Sequence, residues 1–297
     1  MPVLLYWTFV IGTTLARVVP LRVSYAIARL VGVGTYYAWR GGRRRCIQNM
    51  RHVLGDEAEA RRTARASFSN YLVYLVDFSR LIGSTREELR ARVVTDDWTR
   101  VSAERTGRGI VAMTLHYGNW DLGAALIAQH GVGVAAIADR FPNARVNDFV
   151  IGSRQHLGMT IIPADRMGPG LIRALRGNDV VAVLLDIPAP ATGVHIEFFG
   201  DTIAVSDGPA RLALRTGATV VAGMVSRHAR WGEAVRAEAE PIAFTPTGDE
   251  AADARALMQT VFTHLERQVR RDPAQWYIFR NLWLSDMPAQ PVRERSA

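Results

Sequence analysis

The sequence predicts an α/β protein in which a central mixed sheet is flanked by helices and preceded by an α-rich, membrane-associating N-terminal portion. Three observations carry this prediction. Apolar runs of strand length recur at 110–115, 180–185 and 218–225, with helical patterns between them. The first two runs deliver His116 and Asp186 at their ends, as expected where ligands bind beyond the carboxyl ends of sheet strands. Up to residue 82 every pattern reads as helix.

From residue 3 to 39 the chain is apolar and aromatic, interrupted by Arg17, Arg22 and Arg29. Its longest uncharged stretch, residues 1–16, falls short of the ~20 residues that span a bilayer. No charged n-region followed by a small-residue cleavage site marks a signal peptide. A helix lying in the interface fits, with its apolar side in lipid and Arg17, Arg22, Arg29, Arg40, Arg43, Arg44 and Arg45 at the head groups. Two alternatives stay open, a helical hairpin packed on the core with a solvated basic edge and a single short spanning helix from Leu4.

Residues 43–55 and 56–82 read as two further helices, the second with an apolar stripe through Phe68, Tyr71, Leu72, Leu75 and Phe78 that suits a core. After the 110–115 strand, Asn119 makes a good N-cap for a helix that closes at Gly131. The pattern then alternates. Strands are expected at 133–138, 160–162, 180–185, 193–198 and 218–225, helices at 144–157, 169–176, 209–216 and 251–271, and a closing strand at 276–279. We divide the chain into interfacial helices (1–42), one main domain (43–287) and a disordered tail (288–297).

The chain has 297 residues, 48% of them hydrophobic, and a formal charge of +8 at a pI near 10.3. No lysine occurs, so all 36 basic side chains are arginines, whose planar charge suits phosphates and anionic surfaces. Nucleic acid is not the expected partner, because no zinc, helix-turn-helix or RNP-type signature occurs and the arginines are spread through helices. With Cys46 as the single cysteine, there is no intramolecular disulfide and no cysteine-based metal cluster. The expected location is the cytosol or its membrane face.

The chemistry is expected in HYGNWD, residues 116–121. A turn at Tyr117-Gly118 can fold the Asp121 carboxylate, in the first helical turn, back toward the His116 imidazole. Asp121 then holds one ring nitrogen and leaves the other as a general base. Asp186 joins the charge relay, grips an acceptor hydroxyl, or pairs with an arginine.

HYGNWD resembles a block of the bacterial lysophospholipid-type acyltransferases, particularly the late lipid A acyltransferases and the phosphatidylinositol mannoside acyltransferases. RRRCIQNMRHVLGD (43–56), LIRALRGNDVVAVLLD (171–186), GVHIEFFGD (193–201), SDGPARLALRTGATVV (206–221) and QWYIFRNLW (275–283) resemble further blocks of that family in the same order. The resemblance implies a glycerolipid acyltransferase-like fold and an acyltransferase domain at 43–287. In the family a histidine deprotonates an acceptor hydroxyl that attacks an acyl thioester directly. For the thioester-to-hydroxyl transfer that this resemblance implies, backbone N–H groups near Tyr117, Gly118 and Asn119 are the expected oxyanion donors, and Arg140 and Arg154 the expected phosphate contacts. Asp186 falls on the second acidic position and is counted with His116 and Asp121 among the catalytic residues, and Asp139-Arg140 falls where mannoside-type members carry an acid followed by arginine, so Asp139 and Arg140 join the substrate-binding set. Aspartate stands at 186 where mannoside enzymes are expected to carry glutamate, and the following Ile187-Pro188 matches neither branch.

The implied activity is transfer of a fatty acyl chain to a hydroxyl of a membrane glycolipid, phosphatidylinositol mannoside-type or lipid A-type. The donor is acyl-CoA or acyl carrier protein, a co-substrate, and no cofactor or metal is expected. The expected site of action is the cytoplasmic face of the inner membrane, with the enzyme peripheral or N-terminally anchored at an anionic surface. Two rivals are kept. One is a non-catalytic lipid-surface scaffold of the same fold. The other is a metal-dependent hydrolase using His116, Asp121, Asp186 and His195, although no H-x-x-x-H or H-E-x-x-H spacing supports it. No G-x-S-x-G elbow occurs, so a serine acyl-enzyme is not expected.

Overall fold

A computed structural model describes residues 2–81, 84–138, 143–163 and 167–287. Four helices open the chain: α1 (Pro2–Val18), α2 (Leu21–Ala38), α3 (Arg40–Leu54) and α4 (Glu57–Leu81). Then follow α5 (Arg86–Ala91), β1 (Val93–Asp96), α6 (Trp98–Ala103), β2 (Ile110–Thr114), α7 (Trp120–Gln129), β3 (Val134–Ala138), α8 (Ala144–His156) and β4 (Met159–Pro163). The rest comprises α9 (Met167–Arg176), β5 (Val180–Leu184), the hairpin β6 (Val194–Phe198) and β7 (Asp201–Val205), α10 (Gly208–Thr216), β8 (Thr219–Arg227), β9 (Val235–Pro241) and α11 (Glu250–Arg271).

Seven strands form the central sheet in the order β1-β9-β8-β2-β5-β3-β4, and β6-β7 stands apart as a two-stranded sheet. All neighbouring pairs of the central sheet are parallel except β8 with β9, so the sheet is mixed. Parallel strands need helical crossovers, and those helices bury both faces of the sheet. Val111, Met113 and Leu115 therefore face the core shared with α10 and α11, while Ile110 and Ala112 face α7 through Leu122 and Ala125. With both faces buried, the core strands are continuous apolar runs rather than alternating ones.

The N-terminal helices pack as a hairpin on α4, and Tyr25 of α2 is fully buried there. Their outer side is apolar and open, with Ile11 54%, Ile27 54% and Leu30 74% exposed. Among the described residues no helix is long and apolar enough to cross a membrane. The Arg43-Arg44-Arg45 cluster is partly structural. Arg45 Nε donates to the Phe279 carbonyl at 2.8 Å, Arg43 lies over the Tyr36 ring, and of the three only Arg44 is exposed.

Two expectations change. Residues 276–279 form no strand; beyond an isolated bridge between Trp276 and Tyr117, their backbone is held by side chains from the helices. Ser67 donates to the Trp276 carbonyl at 2.8 Å, and Asn49 Nδ2 donates to the carbonyls of Ile278 and Arg280 at 3.1 and 2.8 Å. The aromatic run signals burial between layers rather than a sheet ladder. Conversely, β1, β7, β9, α5 and α6 had no sequence prediction. They are short or, like β9, carry polar residues at alternate positions that weaken the strand signal. The expected tail at 288–297 lies outside the described residues.

Candidate active site

His116 stands two residues beyond β2 and Asp186 two beyond β5. The strands pair in register from Ile110 opposite Val180 to Thr114 opposite Leu184, and Leu185 N–H donates to the Thr114 carbonyl at 2.9 Å, so continuing that register sets His116 beside Asp186. Asp186 is completely buried. Its Oδ1 lies 2.7 Å from His116 Nδ1, and its Oδ2 accepts from the Trp276 indole N–H at 2.8 Å and the His116 backbone N–H at 3.0 Å. Burial raises a carboxyl's pKa, but the facing imidazole and these hydrogen bonds outweigh it and hold Asp186 below the ordinary carboxylate value. An ionised Asp186 places the neutral ring's proton on Nδ1 and leaves the Nε2 lone pair for substrate. The His116 side chain is 26% exposed, enough for a reactant to reach it.

The carboxylate on the imidazole is thus that of Asp186. Asp121, expected from sequence to hold the ring, does not occupy this place. Asp121 is buried on the first turn of α7, where its Oδ1 accepts from Arg154 Nε at 2.7 Å and its Oδ2 from the Tyr74 hydroxyl at 2.6 Å. Helix direction explains the difference: α7 packs on the sheet through Leu122 and Ala125, and at its first turn the Asp121 side chain meets Tyr74 of α4 and Arg154 of α8 rather than the histidine. Arg154, expected to contact phosphate, directs Nε and Nη2 at Asp121 instead, a fork matched to a carboxylate. Burial opposes the Arg154 charge, yet Asp121 more than compensates and raises its pKa.

The turn between His116 and α7 is stitched to its surroundings. Tyr117 N–H donates to Leu115 O at 2.7 Å, Gly118 N–H to Gln275 O at 2.9 Å and Asn119 N–H to Val225 O at 2.8 Å. These three N–H groups, expected to bind an oxyanion, are therefore already committed. Gly118 has φ +57°, and a Cβ there would overlap the Val225 carbonyl oxygen, so glycine is required. The Asn119 side chain caps α7 as anticipated, accepting from Leu122 N–H at 3.0 Å. The Tyr117 ring is buried in the core. Asp139 and Arg140 lie outside the described residues.

Trp120, not singled out from sequence, completes the site. Its ring stands edge-on to His116 at 5.3 Å and stacks on Tyr74 at 4.2 Å, and its buried indole N–H has no partner among the described residues. Trp120 also lines an apolar cavity of about 120 Å³ between β2, β8 and α7, together with Ala112, Thr114, Ala124 and Val221. Ile110, Ala112 and Thr114 wall it in the row that His116 extends. Trp276 and Tyr74 were also missed as partners of the two acids. The WYIF block hinted at the first, but only folding aims an indole N–H.

Among the described residues, no three His, Cys, Asp or Glu side chains group as a metal site, and His195 is exposed on β6. The Cys46 thiol is buried in α3, which pushes its pKa up to about 12.

A histidine oriented by a buried carboxylate at the carboxyl end of an α/β sheet, opening beside an apolar cavity, suits enzymes that activate a hydroxyl for group transfer. Comparison with known proteins narrows the class. The chain belongs to the family described as bacterial lipid A biosynthesis acyltransferases, which it matches over residues 1–285. It is an acyltransferase. It is 28% identical over 293 residues to a phosphatidylinositol mannoside acyltransferase of Mycobacterium tuberculosis (strain CDC 1551), covering 95% of this chain and 89% of that protein. The protein of the same name from Mycolicibacterium smegmatis is 26% identical over 288 residues, covering 93% of this chain and 90% of its own.

Proposed function

We propose that this acyltransferase moves a fatty acyl chain from a phosphopantetheine thioester, acyl-CoA or acyl carrier protein, to a hydroxyl of a membrane glycolipid. The observation that carries the mechanism is the 2.7 Å contact between His116 Nδ1 and the buried Asp186. His116 Nε2 takes the acceptor's hydroxyl proton as the oxygen attacks the thioester carbonyl. Asp186 orients the ring and stabilises the imidazolium that forms. The tetrahedral oxyanion collapses, the C–S bond breaks, and the imidazolium returns the proton to the departing thiolate, leaving an ester and a free thiol. With the N–H groups of 117–119 committed, the Trp120 indole N–H is the oxyanion donor in this reading.

The apolar cavity takes the start of the acyl chain in this reading, because Trp120, which stands edge-on to the base, is one of its walls and most of its lining is apolar. A phosphatidylinositol mannoside-type acceptor is preferred over a lipid A-type one, on the resemblance in the terminal tryptophan block and the names of the relatives. The open apolar side of α1 and α2 sits in the cytoplasmic face of the membrane at an anionic surface, where a lipid acceptor is found.

Purified protein with palmitoyl-CoA and a phosphatidylinositol mannoside in mixed micelles tests this, read by thiol release and by mass spectrometry of the lipid. Release coupled one-to-one to acylated glycolipid is expected. No acceptor-dependent release with either donor type would favour a lipid-surface scaffold.

A further inference from the structure

A second cavity, of about 790 Å³, opens between α2, α4, the turn joining β8 to β9 and the segment after α11. His116, Asp186 and Trp120 are not among its walls, so its role is separate from the base. Its charge is one-sided. Arg29, Arg62, Arg65 and Arg230 line it with no carboxylate partner among the described residues, and Asp272 is the one acid in the wall. Arg227, a fifth arginine, is paired with buried Asp77 at 2.5 Å.

Arg29 is held in place by neutral groups, donating to Asn70 Oδ1 at 3.2 Å and to the Arg230 carbonyl at 2.8 Å, while its buried Nε has no partner among the described residues. Burial, and then the charges of Arg230 and Arg227, lower its pKa. Four like charges around one open space, with a buried donor unused, form a place where an anion gains and a cation loses. The walls on the α2 side are apolar. Leu30 and Val33 line the cavity, and exposed Trp231 packs under the guanidiniums of Arg29 and Arg230 at 5.2 and 5.4 Å.

We infer that this cavity binds the phosphate of an anionic phospholipid head group while the exposed apolar side of α2 meets the chains beneath it. The juxtaposition selects a lipid over a soluble phosphate ester. A coenzyme phosphate matches the arginines but makes no use of the apolar wall of Leu30 and Val33 beside them, whereas a phospholipid engages both. The inference rests on the seating of α2 at the membrane proposed above and not on the acyl-transfer chemistry.

The test titrates the full chain with monomeric dihexanoyl phosphatidylglycerol by calorimetry, against inorganic phosphate and adenosine 3′,5′-bisphosphate as competitors. Saturable binding is expected, weakened on the order of ten- to a hundred-fold in the Arg62→Gln/Arg65→Gln/Arg230→Gln variant with an unchanged melting temperature. The competitors should not displace the lipid at equal concentration. Unchanged affinity in the variant overturns the site, displacement by the bisphosphate assigns it to a coenzyme, and displacement by inorganic phosphate reduces it to a general anion site. Should the triple variant melt early, Arg62→Gln alone, at an exposed side chain, gives the same reading: a few-fold weakening supports the site and none overturns it.

Discussion

His116 Nδ1 and Asp186 Oδ1 lie 2.7 Å apart although 70 positions separate them in the chain. The same offset of 70 runs through the β2-β5 ladder, from Ile110 opposite Val180 to Thr114 opposite Leu184, so strand register aligns the base with its orienting group. His116→Ala should abolish transfer with a parental melting temperature. Asp186→Asn should lower kcat on the order of 10³-fold, because an amide can favour the wrong tautomer and carries no charge to stabilise the imidazolium. Turnover by either variant within a few-fold of the parent would remove the pair from the mechanism.

The depressed Asp186 pKa also makes a stability prediction. The folded state holds this carboxylate ionised more strongly than the unfolded chain does, so the contribution is fully present above the ordinary value of 3.8 and is lost as pH falls below it through the folded value. Urea unfolding of the parent and of Asp186→Asn should therefore diverge at pH 6 and converge in acid. A gap that widened on acidification would contradict the assignment.

Asp121 and Arg154 should behave as a structural pair. Arg154→Ala leaves a buried carboxylate uncompensated and should destabilise the fold by about 3 kcal/mol, read as a lower melting temperature. Asp121→Asn should act mainly on stability as well, while kcat of the folded fraction stays near the parent's. A large kcat loss at unchanged stability would return Asp121 to the chemistry.

Trp120→Phe keeps an aromatic ring against Tyr74 and His116 but removes the unpartnered indole N–H. If that group binds the oxyanion, kcat should fall about 10²-fold with KM little changed. A rise in KM alone would make the ring a substrate wall.

Ala124, nearly buried on α7, lines the cavity assigned to the acyl chain. Ala124→Phe fills that space at an overpacking cost of about 1–3 kcal/mol. In competition between palmitoyl-CoA and octanoyl-CoA, preference should move toward the shorter donor. An unchanged ratio in a folded variant would place the chain elsewhere.

The sequence by itself determined the parallel core strands, the capped helix after His116 and the histidine itself. Each depends on local rules: apolar residues at strand spacing, an asparagine at a helix start, and a glycine in the turn between them. It also placed Asp186 at a strand end. It could not assign partners, because Asp121 and Asp186 are both reachable from His116 along a chain whose direction after Gly118 is unknown. Tertiary structure decided between them through two long-range facts. Register set β5 beside β2, and the placing of α4 and α8 around the first turn of α7 gave Asp121 Tyr74 and Arg154 as partners. The fate of the 276–279 run was decided the same way, since its aromatic pattern states only that it is buried. Whether it becomes a strand depends on what lies alongside, and here Ser67 and Asn49 meet its carbonyls while the Trp276 indole N–H reaches Asp186. Local sequence sets what a residue is able to do, and packing between segments far apart in the chain sets which neighbour it does it to.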